Sequence, residues 1–157
     1  MQRWQHAGRP AFAIDPRALA RGEPVAAAAL AWARAHLPNH PVLIYATTSA
    51  QALAEVQSDL GANEAGALVE DCLAQIAHGL VERGVRRLVV AGGETSGAVV
   101  QALGVTRLRI GAAICPGVPW TQADGRPQDT PLHLALKSGN FGGPDFFDEA
   151  LRSSVTA

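Results

Sequence analysis

The sequence predicts an α/β fold in three layers, α/β/α, with helices covering both faces of a mainly parallel sheet. Apolar runs bounded by turn residues alternate with helical patterns along the chain, which is typical of such a sheet. Several of these runs are continuously apolar, as expected for strands buried on both faces. Aromatic residues make up only 5% of the chain and alanine is abundant, which favours closely packed helices and strands. The length of 157 residues fits one domain, residues 1–157.

The first part of the chain contains two predicted strands and two predicted helices. The apolar run at 10–15, which ends in an Asp-Pro turn signal, predicts the first strand. Residues 24–37 combine an early proline, strong helix formers and a proline just beyond the end, so they predict a helix. The run PVLIYA at 41–46 predicts the second strand. The hydroxyl residues that open 47–60 predict a capped helix ending before a glycine.

The middle of the chain contains the clearest amphipathic pattern. Residues 64–83 predict a helix followed by a terminating glycine. Apolar residues recur on one face of this helix, alternately four and three positions apart: Val69, Leu73, Ile76 and Leu80. The run VRRLVVAG at 85–92 predicts the next strand, and a helix ending near Leu103 follows it.

The last part of the chain predicts two strands and one helix. The strands are the apolar runs at 108–114 and 131–137. The turn-rich segment WTQADGRPQDT at 120–130 predicts a loop between them. Pro144 predicts the start of the final helix, since acidic residues suited to a helix N-terminus follow it.

Charge and composition exclude several function classes. The net charge is −1, and the cations are scattered, so nucleic acid is not an expected partner. No apolar run is long enough for a membrane span, and the first residues lack the apolar core of a signal peptide. We therefore expect a cytoplasmic protein without a membrane partner. Cys72 and Cys115 lack metal-ligand or disulfide spacing, which predicts two core residues.

Two glycine-rich stretches, AGGETSG at 91–97 and KSGNFGG at 137–143, each follow a predicted strand. Because the carboxyl ends of parallel strands meet at one edge of the sheet, both stretches should lie on the same rim and face one ligand. Gly92 and Gly93 allow a close approach of the backbone, and Thr95 or Ser96 would cap the following helix. Such a helix end attracts phosphate.

Other interpretations of the first stretch remain open. Glu94 would bind magnesium indirectly, orient a hydroxyl group or interact with the helix dipole. Without any ligand, the two glycines would serve only a tight turn and the hydroxyl residues only a helix cap.

The second stretch begins with the only lysine among 13 basic residues, Lys137. A compact ammonium group next to the flexible backbone of Ser138 and Gly139 could bind a single phosphate oxygen, whereas a guanidinium group demands a planar fork partner. Together the two stretches predict a polyphosphate site. The loop ICPGVPW at 114–120 would form a wall beside the base or ribose, or alternatively a strand-exit turn with Trp120 on the surface.

Three segments in order carry a resemblance to a known family: RRLVVAGGETSGAVVQALGV, LRIGAAICPGVPW and LHLALKSGNFGGPDFF. They resemble the carboxyl-terminal nucleotide-binding domain of the four-carbon acid sugar kinases. The resemblance extends from about Trp4 to Leu151. It implies phosphorylation of threonate, erythronate or 3-dehydrotetronate with ATP, and therefore a role for Mg²⁺ with the triphosphate.

The resemblance also implies which residues contact ATP. These are Gly92, Gly93, Glu94, Thr95 and Gly139. Ser96, Lys137 and Ser138 are added by the physical argument above. Ala113 and Cys115 stand where many members of this family have acidic residues, and a serine-containing loop that contributes to the ATP site in the family precedes the matching segment.

The resemblance also implies an amino-terminal domain that holds the sugar acid, and we expect this sequence to lack it. We therefore expect a fragment with little kinase activity alone, which would contact the sugar acid only through that domain. The alternatives are a stand-alone nucleotide-binding or regulatory module and a remnant that binds nothing. An unpaired sheet edge in such a fragment would allow a homodimer.

Overall fold

A computed structural model describes residues 2–46, 61–124, 131–139 and 141–155 of the chain. The helix predicted at 47–60 lies outside these residues. The chain divides into two compact units, residues 1–76 and 77–157. Among the described residues, no helix is both long and apolar enough to cross a membrane.

The first unit combines short strands with helices. Its elements are α1 (Gln2–His6), β1 (Ala11–Ala13), α2 (Pro16–Ala20), α3 (Val25–His36), β2 (Leu43–Tyr45) and most of α4 (Ala62–Glu82). Strands β1 and β2 pair in parallel, with Phe12 opposite Ile44. The predicted strands at 10–15 and 41–46 and the predicted helices at 24–37 and 64–83 are thus confirmed.

Helix α2 was not predicted, because the Asp-Pro pair was interpreted as a turn. Asp15 is instead the N-cap of this helix, and its side chain accepts a hydrogen bond of 2.9 Å from the Arg17 amide. Pro16 occupies the first turn, where its missing N–H costs no helical hydrogen bond. The same dipeptide therefore starts a short helix.

The second unit begins within α4 and contains one four-stranded sheet. Its further elements are β3 (Arg87–Ala91), α5 (Gly93–Ala102), β4 (Arg107–Cys115), β5 (Val118–Asp124), β6 (Leu132–Lys137) and α6 (Phe146–Arg152). The strand order is β3-β6-β5-β4. Strands β3 and β6 are parallel, whereas β5 is antiparallel to both of its neighbours. The α/β class is confirmed, with a mixed sheet in this unit.

The antiparallel pairing arises because β4 and β5 form a hairpin with no helix between them. The loop predicted at 120–130 is therefore wrong for residues 120–124, which belong to β5; residues 125–130 lie outside the described part. The polar residues of this segment suggested a loop, but a polar side chain can lie inside a sheet when its hydroxyl group is hydrogen-bonded there. Thr121 is only 9% exposed, and its Oγ1 donates a hydrogen bond of 2.8 Å to the Leu134 carbonyl oxygen.

The core of the second unit lies between the sheet and α6. Trp120 is fully buried there, so the alternative that placed it on the surface is wrong. Its Nε1 donates a hydrogen bond of 2.8 Å to Ser153 Oγ, and the Arg87 guanidinium lies 4.9 Å from the ring centroid. The buried cluster consists of Val118, Trp120, Ala135, Phe146 and Ala150.

The two cysteines lie in different units. Cys72, in the first unit, is buried, which raises the pKa of its thiol. Cys115, in the second unit, is half-buried against the cluster just described.

Arg87 also connects the start of β3 to the end of α6. Its guanidinium donates hydrogen bonds of 3.1 and 3.0 Å to the carbonyl oxygens of Ala150 and Ser153. Carbonyl groups in the last turn of a helix lack helical donors, so a cation is favourable at this position.

The position of His133 opposite Arg87 leads to a pH prediction. Burial, and secondly the Arg87 charge, lower the pKa of His133 below its ordinary value of 6.5. The unfolded chain therefore binds more protons than the folded chain just below pH 6.5, and the free energy of unfolding falls as the pH decreases through this range. NMR titration of the His133 ring should give a pKa below 6.5, and Arg87→Met should raise it. An unchanged pKa in Arg87→Met would contradict the contribution of the arginine charge.

Candidate functional site

The two glycine-rich stretches lie side by side at one edge of the sheet, as predicted. Strands β3 and β6 are parallel neighbours, with Ala91 opposite Lys137. Their carboxyl ends therefore meet at the same edge. The two loops are also joined directly, because the Gly92 amide donates a hydrogen bond of 2.8 Å to the Lys137 carbonyl oxygen.

The turn between β4 and β5 lies at the same edge. Strand β5 runs antiparallel to β6, with Trp120 opposite Ala135, so β5 begins where β6 ends. The turn contains Gly117 at a φ of 81°. A Cβ atom on this glycine would lie 2.5 Å from Phe141 Cε1, which means that the aromatic ring rests against the turn. Three separate segments of the sequence thus meet here.

Helix α5 begins at the first of these loops. Gly92 is its N-cap, with a φ of 122° and no side-chain capping bond. This backbone conformation favours glycine, and a Cβ atom at this position would also lie only 3.0 Å from Thr95 Oγ1. The predicted capping role of Thr95 or Ser96 is wrong, because both residues lie inside the first turn. Ser96 Oγ instead donates a hydrogen bond of 2.6 Å to the Gly92 carbonyl oxygen.

The N-terminus of α5 offers amide donors toward the exposed side. Helix geometry leaves the amides of the first residues, Gly93, Glu94 and Thr95, without acceptors four positions earlier. Gly93 and Glu94 are exposed, and a Cβ atom on Gly93 would meet no heavy atom within 4 Å. These donors and the positive end of the helix dipole therefore form a surface that an anion can approach closely.

The Lys137 side chain folds over its own loop. Its Nζ donates hydrogen bonds of 3.2 Å to the Ser138 carbonyl oxygen and 3.0 Å to that of Gly139. The ammonium group also lies 5.7 Å from the centroid of the Phe146 ring. Among the described residues it pairs with no carboxylate. The lysine thus holds the exposed Ser138–Gly139 turn and keeps a positive charge available for an anion.

The described residues contain no cluster of three or more His, Cys, Asp or Glu side chains that could hold a metal ion. Glu94 is the acidic residue in the first turn of α5. One exposed carboxylate does not constitute a magnesium site, since Mg²⁺ requires six oxygen ligands, several of them commonly water and phosphate. A magnesium ion at this edge would therefore depend on phosphate oxygens for binding.

Phe141 lies beside these loops but was not predicted to be a site residue. Its side chain is 46% exposed, which is unusual for a large apolar residue. The signal was present in the sequence, because a phenylalanine stands between Asn140 and two glycines in a loop otherwise made of small and polar residues. Its contact with Gly117 was not predictable, since these two residues are far apart in the sequence.

Comparisons with known proteins show the family to which the chain belongs. A family model described as nucleotide-binding C-terminal domain matches residues 1–147. The 3-oxo-tetronate kinase of Cupriavidus necator is 66% identical over 151 residues, covering 96% of the chain and 34% of the relative. The enzyme of the same name from Burkholderia multivorans is 64% identical over 148 residues, covering 94% and 33%.

A solved structure shows the same fold. The crystal structure of a Haemophilus influenzae protein of the DUF1537 family matches with a TM-score of 0.84 and 36% identity, covering 96% of this chain and 35% of that one. The chain thus spans about a third of the length of the relatives that it matches.

Proposed function

The chain belongs to the family of nucleotide-binding C-terminal domains, and from this membership we propose that it binds ATP as one part of a sugar-acid kinase. The whole of residues 1–157 would serve as the nucleotide-binding module. The substrate proposed for the complete enzyme is a four-carbon sugar acid such as 3-oxo-tetronate, threonate or erythronate, because the relatives are 3-oxo-tetronate kinases. The sugar acid would bind to a different part of that enzyme.

One observation supports the position of the nucleotide site. The Gly92–Lys137 hydrogen bond joins the N-terminus of α5 to the loop that carries the lysine. In this proposal, the amides of Gly93, Glu94 and Thr95 bind phosphate oxygens, and Gly92 allows the sharp entry into the helix. Ser96 stabilises that entry through its bond to the Gly92 carbonyl.

The second loop contributes charge and backbone donors. Lys137 would place its positive charge near the phosphates while holding Ser138 and Gly139 in position. ATP supplies the phosphoryl group, and its transfer depends mainly on positioning and on stabilising negative charge. Mg²⁺ would be bound by the triphosphate oxygens, and the Glu94 carboxylate would interact with it indirectly, through water.

The first test is calorimetric titration of the 157-residue chain with ATP and Mg²⁺. We expect binding by the wild type and binding about 10- to 100-fold weaker in Lys137→Ala, because one hydrogen bond to a charged group contributes about 1.5–3 kcal/mol. Arg109→Ala is the matched control. It removes one positive charge from an exposed side chain whose described partner is Asp124 and should keep the wild-type affinity.

Three outcomes would contradict parts of this proposal. Failure of the folded wild-type chain to bind ATP would favour a remnant without a ligand. Equal losses in Lys137→Ala and Arg109→Ala would indicate a general charge effect. Substantial phosphorylation of 3-oxo-tetronate by this chain alone would contradict the division of substrates between two parts of the enzyme.

We also propose a cellular location, small-molecule partners and an oligomeric state for this module. ATP use supports a cytoplasmic location, with ATP and ADP as the small-molecule partners. A homodimer through an unpaired sheet edge follows from the tendency of such edges to pair, and a purely monomeric chain in light scattering would contradict it. A stand-alone regulatory module would bind ATP equally well, but it would not restore kinase activity when combined with the sugar-acid part of a relative.

A further inference from the structure

Phe141 and the β4–β5 turn form a feature of the candidate site that phosphate binding does not use. Phe141 is 46% exposed. It follows the Ser138–Gly139 turn, whose carbonyl oxygens accept hydrogen bonds from Lys137. Its backbone amide donates a hydrogen bond of 3.4 Å to the Ser138 carbonyl oxygen. The backbone of Phe141 is therefore connected to the same loop as the proposed phosphate contacts.

The ring is also supported from the side. Its Cδ1 and Cε1 atoms lie so close to Gly117 that a Cβ atom on this glycine would come within 2.7 and 2.5 Å of them. Gly117 has a φ of 81°, so the turn is shaped by a residue that both allows this conformation and leaves room for the ring. An exposed aromatic ring held against a glycine turn is a preorganised stacking surface.

The strand order sets the distance between this surface and the phosphate-binding amides. The end of β3 and the start of β5 are separated by two strand spacings, because β6 lies between them. This separation is about 10 Å. The triphosphate and ribose of a nucleotide can span such a distance, with phosphates at the N-terminus of α5 and the base near the β4–β5 turn.

We propose that Phe141, supported by Gly117, is the stacking platform for the purine base of the nucleotide. This inference rests on the proposed ATP site and adds the position of the base to it. Stacking of a base on an aromatic side chain is tolerant of base identity. The platform therefore contributes affinity for the nucleoside rather than for phosphate.

The test compares ATP with inorganic tripolyphosphate, which has the phosphates but no base. Phe141→Leu should bind ATP about tenfold more weakly than the wild type and tripolyphosphate equally well, because only stacking is removed. Phe141→Tyr keeps an aromatic ring and should keep the affinity for ATP. Ile110→Thr is the control, since Ile110 is 77% exposed and lies in the middle of β4.

The possible results distinguish failure of this inference from failure of the proposed function on which it rests. Unchanged ATP affinity in Phe141→Leu overturns the platform but not the ATP site. Equal weakening of ATP and tripolyphosphate also overturns it, because the residue would then act by shaping the phosphate loop. Absence of ATP binding by the wild type overturns the proposed function and the inference together. Melting temperatures of all variants show whether the chain remains folded.

Discussion

Gly93→Val should weaken ATP binding by about 100-fold or more while leaving the chain folded. Gly93 is the first residue of α5, and a side chain there would stand in front of the amides proposed to bind phosphate. Loss of two hydrogen bonds to a charged group costs about 3–6 kcal/mol, which corresponds to at least a hundredfold loss of affinity. Calorimetric titration with ATP and Mg²⁺ measures this loss directly.

The matched control for this prediction is Gly97→Val in the same helix. Both glycines are exposed, neither has a positive φ, and a Cβ atom on either would meet nothing within 4 Å. The two variants should therefore change helix stability only slightly and by similar amounts, because valine has a somewhat higher helix propensity than glycine. Wild-type affinity in Gly93→Val would show that phosphate does not bind at this helix end, and an equal loss in Gly97→Val would point to the helix rather than to the ligand.

Local patterns predicted most of the elements of this fold. The apolar runs located β1, β2, β3, β4 and β6, and the spacing of Ile76 and Leu80, both buried, located α4. The strand order could not be predicted, because it depends on contacts between residues distant in sequence. Strand β5 was missed for a related reason: its segment has the composition of a loop, and only pairing with β4 and β6 makes it a strand.

The position of the candidate site was predictable from topology, since both glycine-rich stretches follow strands that we expected to be parallel. Its details were not. The start of α5 was misjudged because Gly92 serves as N-cap through its φ of 122°, which leaves Thr95 and Ser96 inside the helix. The bonds from Lys137 to its own loop depend on a side-chain conformation that no sequence pattern specifies.

Trp120→Ala should produce the largest loss of stability in the second unit. The side chain is fully buried, and replacing a buried tryptophan by alanine removes apolar contacts and leaves a cavity, at a cost of about 3–5 kcal/mol. The variant also removes the hydrogen bond to Ser153 and the ring beneath the Arg87 guanidinium. Chemical denaturation followed by far-UV circular dichroism measures the change without relying on tryptophan fluorescence.

Trp120→Phe separates packing from the polar contacts of the indole. Phenylalanine retains an aromatic ring in the cluster but has no donor for Ser153, whose hydroxyl still donates a hydrogen bond of 2.9 Å to the Ala150 carbonyl oxygen. We expect this variant to lose about 1–2 kcal/mol, well below the loss in Trp120→Ala. If both variants lost the same amount, the hydrogen bond and not the buried ring would dominate. If Trp120→Ala lost less than about 1 kcal/mol, the cluster around α6 would not be the core that its burial indicates.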